Sequence, residues 1–214
     1  AGKHVLITSG GTREPIDPVR FIGNRSSGKM GRALALEALA RGAHVTVVTG
    51  PAEVGLPAEA KVVAVESAAE MQVAAQKAAT DADVIIGVAA VADYRAEQIS
   101  PVKHKRGGGP VTLTLQENPD IIAGLAAARR PGQVVVGFAA ETNDVMANAQ
   151  AKMTRKGLDI IVANLVGGTE SGFGSDQLRA AILQNADTSA PLAMVSKEQL
   201  AAQLFDRIVQ VLGA

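Results

Sequence analysis

The segment GNRSSGKM, residues 23–30, meets all but the last position of the phosphate-binding pattern G-x-x-x-x-G-K-[ST]. In such a loop the backbone amides and the lysine cradle a triphosphate, and the final hydroxyl holds Mg2+. Met30 stands at that last position and cannot hold the ion. A P-loop also follows its strand directly, whereas residues 9–22 separate this segment from the apolar run HVLIT. A dinucleotide loop fits poorly too. Gly28 and Gly31 give only G-x-x-G, and the second apolar run ends VVTGP, with no acidic residue for a ribose. A third reading makes SSGKMG a helix N-terminus whose glycines admit close strand–helix packing and whose amides can still meet an anion.

The upstream stretch GGTREPIDPVRFIGN is harder to reduce to packing. Arg13, Glu14, Asp17, Arg20 and Asn24 fall within twelve residues, and Pro15 and Pro18 fix the shape of the loop. Elsewhere, Lys152 and Lys156 stand four apart on one helical pattern, so their ammonium groups either converge on one anion or are solvated separately. Asp93 follows the apolar run DVIIGVAAV and either caps a turn or contacts a ligand or metal. Phe138 ends QVVVGF and is either core or a platform for a planar base. His104 lies among Lys103, Lys105 and Arg106, a setting that disfavours a general base, while His4 and His44 begin strands. No Ser–His–carboxylate set in G-x-S-x-G context and no histidine cluster occurs, which leaves hydrolase and metalloenzyme readings with little support.

The elements that must carry these residues follow from the apolar pattern. Runs of strand length recur at HVLIT, HVTVVTG, KVVAVE, DVIIGVAAV, QVVVGFAA and DIIVANLV. Stretches of helical spacing lie between most of them: MGRALALEALARG, SAAEMQVAAQKAATD, NPDIIAGLAAARR and NDVMANAQAKMTRKG. Unbroken β-branched runs alternating with helices predict a parallel sheet covered on both faces. LRAAILQ and PLAMVS predict an antiparallel pair, and SKEQLAAQLFDRIVQVLG a closing amphipathic helix capped by Ser196. Gly42 and Gly157 sit where C-cap glycines belong. The expected fold is a single doubly wound α/β domain over 1–214, a mainly parallel Rossmann-like sheet with a C-terminal antiparallel strand pair. Two connections, residues 9–27 and the stretch from Asp93 to Pro110 containing KHKRGGGP, exceed the ~2–6 residues usual for such loops. Both should emerge at the carboxyl ends of strands, where such sheets bind ligands.

Composition sets limits. The 214 residues contain no cysteine, which removes disulfides, thiolate zinc sites and a cysteine nucleophile. The balance of 21 basic and 21 acidic residues argues against a general nucleic-acid binder. No apolar run reaches the ~20 residues of a membrane span and no signal peptide is evident, so neither a membrane nor a nucleic acid is an expected partner and the expected location is cytoplasmic. With four Phe, one Tyr and no Trp, the core must be aliphatic. A chain opening on Ala1 directly ahead of a strand reads as part of a longer protein.

The motifs GGTREPIDPVRFIGNRSSGKMG, AAVADY, VKHKR, NPDII, GFAAET and the Lys152/Lys156 pair together resemble the phosphopantothenoylcysteine synthetase family, in order and over nearly the whole chain. The first motif is highly specific; the others are individually weak. The resemblance implies a ligase of coenzyme A biosynthesis that joins 4′-phosphopantothenate to L-cysteine, with CTP activating the carboxylate as an acyl-cytidylate. It implies CTP contacts from Ala89, Ala90, Asp93, Lys103, Pro119, Asp120, Ile121, Ile122, Phe138, Lys152 and Lys156. It places Asn24 at the acyl-cytidylate with Arg20 and Gly11 beside it, and gives Asn24, Arg20 and Lys103 catalytic roles. Mg2+ or Mn2+ would be held mainly by the CTP phosphates. The family implies a homodimer with shared sites, and a preceding decarboxylase domain on which alone FMN is expected. The KHKRGGGP segment would be a lid that closes over CTP. Two other classes stand beside this one: an NADP-dependent reductase or epimerase with Arg20 or Arg25 on the cofactor, and a noncatalytic nucleotide-binding module.

Overall fold

The computed structural model describes residues 1–107, 109–166, 175–184 and 191–213. The chain opens with β1 (His4–Ser9), a ribbon of β2 (Arg13–Pro15) and β3 (Phe21–Gly23), helix α1 (Lys29–Ala40), β4 (His44–Thr49), β5 (Lys61–Ala64), α2 (Ala68–Ala79) and β6 (Val84–Gly87). A second ribbon, β7 (Tyr94–Ala96) with β8 (Leu115–Glu117), precedes α3 (Ile121–Ala127), β9 (Val134–Glu141), α4 (Val145–Lys156) and β10 (Ile160–Leu165). Then come β11 (Gln177–Gln184), β12 (Ala193–Ser196) and α5 (Lys197–Leu212).

The main sheet runs β12-β11-β10-β9-β6-β1-β4-β5. Its six strands from β5 to β10 are parallel, and β11 and β12 add on antiparallel. Side chains alternate faces along a strand, so β1 feeds two cores. Val5 and Ile7 pack with α1 and α5, while Leu6 joins Met71 of α2, Leu125 of α3 and Met153 of α4 on the other face. The expected doubly wound sheet and closing antiparallel pair are therefore both present. Ser196 caps α5 through a capping box with Gln199, and Gly157 takes the left-handed conformation that ends α4.

Three boundaries differ from expectation for local reasons. The apolar run DVIIGVAAV forms a strand only over Val84–Gly87; Val88 onward leaves the sheet, although Gly11 and Ala90 still make an isolated parallel bridge. NPDIIAGLAAARR gives a helix only from Ile121, because Asp120 caps it by accepting a hydrogen bond from the Ala123 N–H. The first long connection contains a short antiparallel ribbon and the second runs between the strands of another, and three-residue strands are too brief to announce by periodicity. Of the KHKRGGGP stretch, Gly108 lies outside the described residues, and so does part of the connection from β10 to β11. Among the described residues no helix is long and apolar enough to cross a membrane.

The glycines of the GNRSSGKMG segment have distinct structural tasks. Gly28 caps α1 with φ 77°, a left-handed conformation that costs other residues strain. Gly31 lets α1 approach β1 so closely that an added Cβ would lie 2.0 Å from Ser9 Oγ. Gly31→Ala must push helix and strand apart, and an overpacked contact of this kind costs about 1–3 kcal/mol. Thermal unfolding should show a clearly lowered midpoint; an unchanged one would mean that the contact relaxes freely.

Candidate functional site

In this sheet the chain first builds outward from β1 through β4 to β5, then returns to β6 and continues through β9 to β10. The connections leaving β1 and β6 therefore diverge, and ligands of such sheets bind in the crevice this opens. Here the two connections remain joined beyond the strand ends. The Val88 N–H donates to the Thr8 carbonyl at 3.2 Å, and the Ala90 N–H to the Gly10 carbonyl at 2.8 Å. The Ala92 N–H donates to Thr12 Oγ1 at 2.9 Å, and Asn24 Nδ2 to the Val91 carbonyl at 2.8 Å. Asn118 secures the outer side, giving its Nδ2 to the Ala92 carbonyl and accepting from Arg95.

Above this seam lies a cleft of about 740 Å³, within the size range of small-molecule sites. It brings together Asn24, Ala89, Ala90, Asp93, the segment Pro119–Asp120–Ile121–Ile122, Phe138, Lys152 and Lys156. Asp120 both caps α3 and pairs with Lys156 at 2.8 Å. Lys152 donates to the Phe138 carbonyl at 2.9 Å. Burial, and then the neighbouring charge of Lys156, push the Lys152 ammonium below its ordinary pKa. The lysines of α4 thus form a concentrated positive wall. Asp93 is exposed at the rim, and the Ala90 backbone is engaged by Gly10 and Thr12.

Arg20, Lys103 and Gly11 do not line this cleft. Gly11 lines an open groove on the other side of Asn24, with Arg13, Phe21 and Pro51. Lys103 is exposed on the connection from β7 to β8. Arg20 is committed elsewhere: it donates to Asp17 at 2.7 Å and to the His104 carbonyl at 2.9 Å. Asp17 in turn accepts from the backbone N–H groups of Val19, Arg20 and His104. Glu14, also in the proline-braced loop, is buried and accepts from the Ala68 N–H at the start of α2. Much of that loop's charge is thus structural, and Asn24 is its delegate to the cleft. Among the described residues no group of three or more His, Cys, Asp or Glu is arranged to hold a metal.

Reading the sequence missed Lys29, Asn164 and Lys197 as cleft-lining residues. Lys29 was visible only as a P-loop lysine in the wrong context, and Lys197 only as one residue of the closing amphipathic helix. Only the antiparallel return of β12 carries Lys197 to the cleft.

A doubly wound α/β sheet with a lysine-lined crevice at its switch point is a Rossmann-type architecture. The chain belongs to the family described as DNA/pantothenate metabolism flavoprotein C-terminal domain, which it matches over residues 1–212. It is 46% identical over 225 residues to the coenzyme A biosynthesis bifunctional protein CoaBC of Mycobacterium tuberculosis (strain H37Rv), an alignment covering 100% of this chain and 53% of that protein. The CoaBC protein of Escherichia coli (strain K12) is 46% identical over 210 residues, covering 96% of this chain and 51% of the relative. The chain thus spans about half the length of these relatives. The crystal structure of a CoaBC C-terminal domain superposes with a TM-score of 0.83 at 35% identity, covering 99% of this chain and 96% of that one.

Two predictions follow from the geometry. Burial alone would raise the Asp17 pKa, but the Val19, His104 and Arg20 amides and the Arg20 charge outweigh it and hold the carboxyl at about 2, below its ordinary 3.8. A depressed carboxyl stabilises the fold fully above its unfolded pKa, ~3.9, and loses that contribution as pH falls through the folded value. Urea unfolding should therefore show an acid limb between about pH 4 and pH 2 that flattens in Asp17→Asn; the same limb in both proteins would deny Asp17 this role. The second concerns the α4 wall. If Lys152 and Lys156 grip phosphates, each charge-assisted contact contributes roughly 1.5–3 kcal/mol. Alanine at either position should then weaken binding of a nucleoside triphosphate about tenfold or more in a calorimetric titration, and unchanged affinity in both would leave them as structural partners of the Phe138 carbonyl and Asp120.

Proposed function

We propose that this chain carries a phosphopantothenate–cysteine ligase reaction of coenzyme A biosynthesis, in the cytoplasm, with CTP as the activating nucleotide. The observation that carries this reading is the cleft itself. In a member of this family, the seam between the β1 and β6 connections presents the uncharged amide of Asn24 beside a wall holding Lys152 and Lys156. Family membership and the coenzyme A name of the relatives support the pathway; the arrangement of the cleft supports the division of labour.

A carboxylate resists amines until one oxygen becomes a leaving group. On this reading a carboxylate oxygen of 4′-phosphopantothenate attacks the α-phosphorus of CTP, the bond to the β-phosphate breaks, and pyrophosphate departs. The cysteine amine then attacks the acyl carbon, the C–O bond to CMP breaks, and the amine loses a proton. The protein aligns the partners and offsets charge that builds on the phosphates. Asn24 hydrogen-bonds the acyl group without competing as a nucleophile, because its amide nitrogen lone pair is delocalised into the carbonyl. Lys152 and Lys156 hold the triphosphate, which brings its own Mg2+ or Mn2+ as part of the substrate. Ala89, Ala90, Asp93, Phe138 and the segment Pro119–Ile122 shape the base and ribose side. Arg20 and Lys103, exposed and outside the cleft of the single chain, act across a homodimer interface or after rearrangement of the β7–β8 connection. In a longer protein the decarboxylase half precedes this domain and carries the FMN.

The test is pyrophosphate release from CTP. Release should require phosphopantothenate and proceed without cysteine, whereas CMP release should require both acids. Asn24→Asp places a negative charge beside the anhydride and should slow acyl-cytidylate turnover more than it weakens CTP binding. Acid-independent pyrophosphate release, or normal turnover in the Asn24 variant, would reject the mechanism; NADPH oxidation would favour a reductase.

A further inference from the structure

The chain from Val88 to Asp93 runs on beyond the main sheet, so its backbone needs partners that no strand supplies. The β1 connection provides them along one side, through Thr8, Gly10, Thr12 and Asn24. At the far end Asn118 takes hold of two consecutive carbonyls. Its N–H donates to the Asp93 carbonyl at 2.8 Å, and its Nδ2 to the Ala92 carbonyl at 2.8 Å.

The local sequence explains why a side chain does this. β7 and β8 pair from Tyr94 with Glu117 to Ala96 with Leu115, and the Asn118 N–H carries that ladder one step further, to Asp93. Pro119 comes next and has no N–H to donate. The Asn118 carboxamide supplies the missing donor, and its orientation is fixed from behind. Arg95 Nη1 donates to Asn118 Oδ1 at 2.8 Å and to the Glu117 carbonyl at 2.9 Å. A guanidinium only donates and a carbonyl only accepts, so Oδ1 must face Arg95 and the NH2 must face Ala92. Asparagine meets both demands. An aspartate of nearly the same shape would set a carboxylate oxygen against the Ala92 carbonyl, with no hydrogen between them.

Asn118 therefore joins two parts of the cleft wall that are remote in sequence. Asp93 lies on one side of its grip, and on the other the chain passes through Pro119 to Asp120, which caps α3 and pairs with Lys156. We propose that Asn118, with Arg95 behind it, is a positioning residue for the nucleotide. It clasps the end of the β6 connection to the start of α3, so that Asp93 and the Pro119–Ile122 segment meet the nucleoside as one edge. The inference rests on the ligase reading, which gives both segments to CTP; Asn118 acts through them and touches none of the reacting atoms. Asn24, where the carboxylate is activated, is tied to this stretch from the β1 side. A fault in the clasp thus loosens the nucleotide more than the acid.

CTP affinity is measured by calorimetric titration, and pyrophosphate release against CTP and against phosphopantothenate, for wild type, Asn118→Asp, Arg95→Ala and Arg95→Lys. Losing one hydrogen bond of the clasp should weaken CTP binding about fivefold or more in Asn118→Asp and raise KM for CTP to match. Its kcat at saturating CTP and its KM for phosphopantothenate should stay close to wild type. Arg95→Ala should show a smaller loss of the same kind, and Arg95→Lys, which keeps a donor-only cation, should recover part of it. An asparagine that merely holds the fold would lower kcat and raise both KM values together. That pattern overturns the proposal, and so does unchanged CTP affinity in Asn118→Asp. If Asn118→Asp does not fold, Arg95→Ala decides, and wild-type CTP affinity there overturns the clasp. Calorimetry needs no turnover, so the two readings fail separately. A wild type that binds CTP but releases no pyrophosphate ends the ligase reading and leaves the clasp to be judged on affinity; a wild type that binds no CTP ends both.

Discussion

The continued pairing of β1 and β6 beyond their strand ends is the constraint on which the cleft depends. A switch in strand order opens a crevice by sending two connections apart, but it leaves their first residues without sheet partners. Here the Thr8, Gly10 and Val91 carbonyls and the Thr12 hydroxyl supply those partners. The two connections consequently form one floor rather than two loose walls. Asn24 is a member of that hydrogen-bonded set, so its amide is aimed by backbone geometry instead of by packing around a free side chain. The close approach of α1 at Gly31 fixes the same floor from below.

Charge is distributed over this floor unevenly. The acids of the proline-braced loop face inward or sideways: Glu14 onto the start of α2, Asp17 onto its own turn and His104. The lysines that line the cavity come from α4 and from the first residues of α1 and α5. Burial destabilises the ammonium forms of Lys152 and Lys197, so the protein carries an electrostatic cost along the cleft. That is the preorganisation expected where phosphate charge must be met without reorganisation during the reaction.

The sheet was legible because its signal is long. HVLIT, HVTVVTG and QVVVGFAA are unbroken apolar runs that only a two-faced parallel sheet can bury, and the helices between them have clear periodicity. The α4 pair was legible for the same reason, since Lys152 and Lys156 share a helix and their spacing alone puts them on one face. What escaped notice depends on contacts across the fold. Lys197 reaches the cleft only because β12 returns antiparallel, and Arg20 is held away from it only because Asp17 and His104 meet in space. The ribbons of β2–β3 and β7–β8 were illegible because three residues cannot establish a period.

The clamp of Asp17 and Arg20 on His104 has a mechanical consequence. Both backbone groups of His104 are held, its N–H by Asp17 and its carbonyl by Arg20. Lys103 is the adjacent residue, and consecutive Cα atoms are ~3.8 Å apart, so while the clamp is shut Lys103 can search only the arc of its own side chain. Carrying Lys103 over a nucleotide in its own cleft is therefore incompatible with an intact clamp. A rearrangement that carried the Lys103 backbone inward would have to release His104 from Asp17 and Arg20, so one loop's ion pair braces another.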